Sequence, residues 1–161
     1  MPNYDLPTKT HIPVISDTHG LLRPEALALL ADAPLILHVG DVDRPAILHE
    51  LNEIANTIVV RGNVDHGDFG DALPVTEVVD IGGRLIYMRH IVQDIDIDPA
   101  TAGFQIVLSG HSHKPGIETR SDVTYLNPGS IGPRRFTLPI SMARLTVTDT
   151  GFTPELIGLT V

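Results

Sequence analysis

Cysteine is absent from the 161-residue chain. That one absence removes disulfide bridges, thiolate metal sites and a cysteine nucleophile together, so any metal must be held by oxygen and nitrogen. Tryptophan is absent too, and aromatic residues make up only 4% of the chain, so no stacking platform for single-stranded nucleic acid is expected. Cations are scarce: 11 Lys and Arg stand against 20 Asp and Glu, a formal net charge of -9. So acidic a surface repels nucleic-acid backbones. It does not exclude a small phosphorylated substrate, because a local metal charge overrides the global field. No apolar run reaches the length of a membrane span, and no amino-terminal segment joins positive charge to an apolar stretch. The expectation is a cytoplasmic protein without membrane contact.

What is present fits one domain over residues 1–161, with 42% hydrophobic residues to build a core. Residues 1–10 are polar, carry two prolines and read as a loosely held tail. Residues 11–16 (HIPVIS), 34–40 (PLILHVG) and 57–62 (TIVVRG) read as strands. Between them, 24–31 and 45–54 have helical spacing with Pro near each start. This βαβαβ order predicts a parallel sheet with right-handed crossovers. The second half changes character. VTEVVDI and GGRLIYMRH form a hairpin turning at Gly82 and Gly83, and further strands end at GHSH, at Leu126, at Val147 and near the carboxyl terminus. The fold class is α/β: two mixed sheets flanked by few helices.

Candidate donors fall in five blocks, each at the end of an apolar run. They are Asp17 and His19 in SDTHG, Asp41 in GDVD, Asn63 in GNVD, His90 after LIYMR, and His111 and His113 in GHSH. Carboxylate, amide and imidazole together suit divalent transition metals. In an extended backbone, residues i and i+2 share a face, so D-x-H and H-x-H each predict two side chains converging on one small volume. Open α/β sheets bind ligands at strand carboxyl ends, where these donors lie.

In this order the blocks resemble the calcineurin-like metallophosphoesterases, in particular their small phosphodiesterases. The signature there runs D-x-H, G-D-x-x, G-N-x-[DE], a lone His, then G-H-x-H. The likeness extends over residues 12–132 and includes NPGS at 127–130. It implies a four-layer sandwich and two divalent transition-metal ions, Mn by preference, with Fe, Zn or Ni as alternatives. Asp17, His19 and His113 would hold one ion, and Asn63, His90 and His111 the other. Asp41 would bridge them, and Asp41, Asn63 and His90 would also serve catalysis. The implied reaction is in-line attack of a metal-bound hydroxide on a small phosphate diester, without a covalent enzyme intermediate. Two other readings stay open: a non-catalytic scaffold, as in the retromer subunit of this fold, and a phosphomonoesterase or nucleotidase. The likeness also implies a homo-oligomer, although no residue pattern demands one.

The chain departs from the family in two places. Val64 stands where monoesterase relatives often carry the His of G-N-H-E, which leaves the acid for the leaving group unassigned. His66 reads as a solvated loop residue, with that acid role as its alternative. The lone-His block is Arg89-His90-Ile91-Val92 instead of T-H-G-H, so the ligand stays while a Gly and a second His are lost.

Other polar residues read more plainly. Asp94, Asp96 and Asp98 lack the Gly and Glu of a calcium loop and read as a solvated acidic strand face. HELNE, from His49, is an ordinary amphipathic helix. Arg134 and Arg135 are candidates for a phosphate contact, and Asn127 shapes a turn before Pro128. His11 and His38 read as packed or peripheral. Asp43 and Asp65 are candidates for hydrogen bonds to ligand imidazoles.

Overall fold

The computed structural model describes residues 1–161. The amino-terminal residues depart from the expectation of a loose tail. Strand β1 (Asn3–Tyr4) pairs in parallel with β5 (Thr76–Ile81), Asn3 opposite Asp80 and Tyr4 opposite Ile81. Tyr4 and Leu6 pack on the core, and the Lys9 amide donates to the Val147 carbonyl at 2.8 Å. Two isolated apolar residues carry no periodicity, so this anchoring leaves no pattern in the sequence.

Strands β2 (His11–Ile15), β3 (Ile36–His38) and β4 (Thr57–Val59) pair in parallel, with Val14 opposite Leu37 and Leu37 opposite Ile58. The crossovers are α1 (Pro24–Leu30) and α2 (Pro45–Ile54). Each opens on a proline, whose fixed φ suits a first helical turn and whose missing N–H is not needed there. Helix α2 buries Ile47 and Leu51 and exposes His49, Glu50, Asn52 and Glu53, the amphipathic pattern expected of HELNE. A further short helix, α3 (Gly67–Asp71), follows β4.

Strand β5 turns into β6 (Arg84–Arg89) through Gly82 and Gly83, at φ 59° and 86°, with Ile81 paired to Arg84. Two successive positive φ values make this the tight hairpin turn that Gly-Gly favours. The DIDID segment is not a strand. Val92–Asp94 forms a single 3-10 turn, and Asp98 caps α4 (Pro99–Ala102), accepting from the Ala100 amide at 3.2 Å and the Thr101 hydroxyl at 2.7 Å. Pro99 favours a helix start over an extended ladder.

Strands β7 (Phe104–Leu108), β8 (Gly116–Arg120) and β9 (Val123–Asn127) complete a six-stranded sheet in the order β1-β5-β6-β7-β9-β8. Strands β10 (Ser141–Val147) and β11 (Phe152–Gly158) complete a five-stranded one, β11-β10-β2-β3-β4. Pro154 lies in β11, at the edge, where a missing N–H costs no ladder bond.

The fold is therefore the expected pair of packed mixed sheets. Alternate residues of both meet in a 17-residue apolar layer that includes Ile12, Val14, Leu37, Ile86, Met88, Leu108 and Leu145. Burying each such side chain contributes roughly 1.5–3 kcal/mol. The opposite face of the five-stranded sheet, with Ile15, Ile36 and Met142, is covered by Ala26 and Leu30 of α1 and Ile47 and Leu51 of α2. The outer face of the six-stranded sheet carries a thinner layer around Tyr87, Val107 and Val123. No helix is long and apolar enough to cross a membrane.

Candidate metal centre

The turns after β2, β3, β4, β6 and β7 all open at one end of the two sheets, and the sequence-predicted donors ride on them. All seven come together there, in two adjoining groups. The carboxylate Oδ1 of Asp17 lies 3.6 Å from His19 Nε2 and 3.3 Å from His113 Nε2. In the other group, Asp41 Oδ2 lies 3.1 Å from His90 Nε2. Asn63 Oδ1 lies 3.0 Å from that same nitrogen and 2.9 Å from His111 Nδ1. The groups touch: Asp41 Oδ2 is also 3.7 Å from His19 Nε2.

The backbone reason differs from the expected one. Asp17, His19, Asp41, His111 and His113 all have positive φ, from 45° to 71°. They sit in left-handed turns, a conformation that Asp, Asn and His tolerate better than most residues. Asp17 and His19 do join the same group. His111 and His113 diverge, one to each group, because the turn rotates their side chains apart. The extended alternation assumed for H-x-H does not apply to that loop.

Close backbone approach sets the turns against each other. A methyl at Gly62 would overlap the Asp41 carboxylate and amide, so only glycine lets the GNVD turn reach GDVD. Asp65 fastens the pair. Its Oδ2 accepts from the Asp41 amide at 3.1 Å and the Gly62 amide at 2.8 Å, and its Oδ1 from the Asp43 amide at 2.9 Å. Asp65 thus orients peptide groups rather than an imidazole. Neither it nor Asp43 binds a ligand ring; the His90 Nδ1–H donates to the Val39 carbonyl at 2.7 Å instead. That bond leaves the Nε2 lone pair facing inward.

Sequence reasoning missed the supports under Asp17. The Ser16 hydroxyl donates to Asp17 Oδ2 at 2.6 Å, the His111 amide donates to the same oxygen at 3.2 Å, and Ser130 donates to the Asp17 carbonyl at 2.9 Å. His38, read as packed or peripheral, is fully buried behind both turns. Asn127 shapes its turn as expected, accepting from Gly129 at 2.9 Å, and its amide also donates to the Gly110 carbonyl at 2.9 Å. Small polar residues beside glycine are too common for any of these to stand out by spacing. Arg134 donates to the Leu138 carbonyl at 3.1 Å, while the Arg135 charge reaches His19. His66 is exposed beside Asn63 on a cleft of about 300 Å³.

Electrostatics mark the centre as a trap for cations. Burial alone would push the Asp17 carboxyl up. Bonds from His113 and His19, the charge of His90 and the Ser16 hydroxyl outweigh burial and hold it well below the usual carboxylate range. Burial likewise opposes a charge on His90, yet its bond to Asp41 and the charges of Asp17 and Asp41 raise it. The bond to Asp17 raises His19. Even so, Asp17 Oδ1 is buried without a well-formed hydrogen bond, and the Nε2 atoms of His19 and His113 face each other at 3.3 Å. A cation in place of the ring protons would satisfy both nitrogens and the orphaned carboxylate oxygen together. With two carboxylates, an amide, four imidazoles and no thiolate, the donor set fits divalent metals of the oxygen- and nitrogen-binding kind. Asn63 and His111 are exposed and the other donors lie deeper, so the centre opens to solvent on their side.

Comparison with known proteins gives the family and the fold. Residues 11–150 match the calcineurin-like phosphoesterase superfamily domain. A probable metallophosphoesterase of Methanothermobacter thermautotrophicus is 36% identical over 143 residues, covering 81% of this chain and 83% of the relative. Among solved structures, a predicted phosphoesterase of Streptococcus pneumoniae superposes with a TM-score of 0.69 at 26% identity, covering 92% of this chain and 89% of that one. An archaeal phosphodiesterase shares the fold, with a TM-score of 0.74 at 22% identity over 91% of this chain and 99% of its own.

Proposed function

The chain belongs to the calcineurin-like phosphoesterase superfamily, and from that premise we propose that it is a binuclear metal-dependent phosphodiesterase acting on small phosphate diesters. Asp17, His19 and His113 would hold one divalent ion, Asn63, His90 and His111 the second, and Asp41 both. Mn is the preferred ion for its tolerance of mixed oxygen and nitrogen donors. When bound, such a pair supplies Lewis acidity for both a water and the phosphoryl oxygens.

The chain's own residues do the positioning. The Val39 carbonyl fixes the His90 ring through Nδ1 and leaves Nε2 free to act as a donor. The Val64 amide donates to Asp41 Oδ1 at 3.0 Å, which leaves Oδ2 to face both groups. Asn63, neutral and exposed, offers one amide oxygen at the solvent mouth, where a diester can approach without an opposing carboxylate. Val64 supports the diesterase over the monoesterase reading, because monoesterase relatives often carry an imidazole at that position.

One observation carries the proposal: Asp41 Oδ2 lies within 3.7 Å of an imidazole nitrogen from each donor group. The direct test assays an activated aryl phosphodiester against the corresponding monoester with added Mn. Turnover of the diester supports the reading, turnover of the monoester alone replaces it with a phosphomonoesterase, and inactivity toward both replaces it with a scaffold. Protein purified without chelator that carries no transition metal and gains nothing from Mn would refute the metal assignment.

A further inference from the structure

We infer that the cleft beside Asn63 and His90 is an anion subsite, in which Arg89 receives a negatively charged group on the substrate's ester arm, such as a terminal phosphate. The inference rests on the diesterase reading and deepens it by naming a substrate class: diesters that carry a second anion.

The cleft continues directly from the second donor group, since Asn63 and His90 form part of its wall. At roughly 30 Å³ per water molecule, its volume of about 300 Å³ is the size of a small phosphorylated sugar. Six of its nine lining residues are polar or charged, Arg61, Asn63, His66, Arg89, His90 and Asp94, so a charged arm finds polar partners there.

Two cations stand in the wall, and they differ. Arg61 is already engaged: its Nη2 pairs with Asp71 at 3.0 Å and its Nε donates to the Asp65 carbonyl at 3.1 Å. Arg89 is not. The carboxylate within 4 Å of it is Asp96, at 3.9 Å, beyond hydrogen-bond reach, and Asp96 is 81% exposed where the Arg89 side chain is 21% exposed. A guanidinium with five N–H donors is thus held against the cleft with none committed. Asp94 is the single carboxylate in the lining; it is exposed and leaves the anchored and the free arginine in the majority. In a chain of net charge -9, Arg89 is the one arginine of this cleft left free to attract an anion locally. A guanidinium fork also matches the geometry of phosphate and carboxylate.

The test compares two dinucleotides, thymidylyl-thymidine with and without a 5′-phosphate, by cleavage of the internal diester in wild type, Arg89→Gln and Arg89→Lys. Wild type is expected to prefer the phosphorylated form in kcat/KM. Arg89→Gln should reduce that preference about tenfold, the scale of one charge-assisted contact near the surface, and Arg89→Lys should keep part of it. No preference in wild type, or one that survives Arg89→Gln, overturns the subsite. If wild type cleaves neither dinucleotide nor the aryl diester, the diesterase reading fails, and calorimetric binding of the same pair decides the subsite alone. Tighter binding of the phosphorylated form that Arg89→Gln lacks supports it; equal binding overturns it.

Discussion

The Nε2 of His38 lies 3.0 Å from the Thr18 hydroxyl. Its Nδ1 accepts from the Gly40 amide at 3.1 Å, so Nε2 carries the proton and donates to Thr18. That hydroxyl in turn donates to the Val42 carbonyl at 3.3 Å. One neutral ring thereby ties the turn bearing Asp17 and His19 to the turn bearing Asp41.

Acid should loosen this tie. Burial pushes His38 down to about 4 from its ordinary 6.5, so between those values the unfolded chain binds a proton that the folded chain refuses. Stability from this group is complete above pH 6.5 and drains away as pH falls toward 4. At ~1.36 kcal/mol per pH unit, the loss is about 3 kcal/mol. Urea unfolding of metal-free wild type and His38→Gln at pH 7 and pH 4.5 should show the gap between them narrowing in acid. A gap that stays constant rules the linkage out.

Asp41→Asn is expected to harm activity more than His113→Ala, because the first disturbs both donor groups and the second only one. Loss of a ligand or its support costs at least about 10–100-fold, and Asp41→Asn should exceed that range. Diester turnover at matched metal content is the measurement, and equal or reversed losses would count against a shared carboxylate.

Asp65→Ala should weaken the centre without removing any donor. It strands the amides of Asp41, Gly62 and Asp43; each buried orphan costs about 1–3 kcal/mol where water cannot replace the acceptor. Lower unfolding stability together with weaker Mn binding is expected, and Asp65→Asn should recover part of both. Unchanged metal affinity in Asp65→Ala would show that the peptide orientation is set elsewhere.

Glycine substitutions should separate close approach from mere flexibility. Gly62→Ala places a methyl on the Asp41 carboxylate and amide, whereas Gly116→Ala meets nothing within 4 Å. The first should abolish high-affinity Mn binding and the second leave stability within about 0.5 kcal/mol, as surface changes usually do. Calorimetric titration and thermal melting of both variants decide the point.

Much of this centre is legible in the residues. The five apolar runs that precede the donors are strands, or extended segments that run on from them, because β-rich alternation and Gly-flanked ends leave few other options. The donors meet because open sheets gather their turns at one end. Local backbone torsion could not be read. Nothing in GHSH announces that φ of 71° at His111 and 61° at His113 sends the rings to different partners. The amino-terminal anchor at Tyr4 and the capped turn at Asp98 were hidden for a related reason, since single contacts leave no periodic trace. Asp65 stabilises the turns through main-chain amides, which every residue type carries, and His38 through one such amide and the Thr18 hydroxyl.

Pro154 in β11 has a bearing on how this molecule behaves in crowded solution. The open side of that strand lacks one donor, so a neighbouring chain cannot zip along it in continuous register. One border of the six-stranded sheet is β8, where exposed Glu118 and Arg120 pair at 2.9 Å and keep charge along the rim. Fibril-like growth by strand addition is thus discouraged along β11 and β8, two of the four sheet borders.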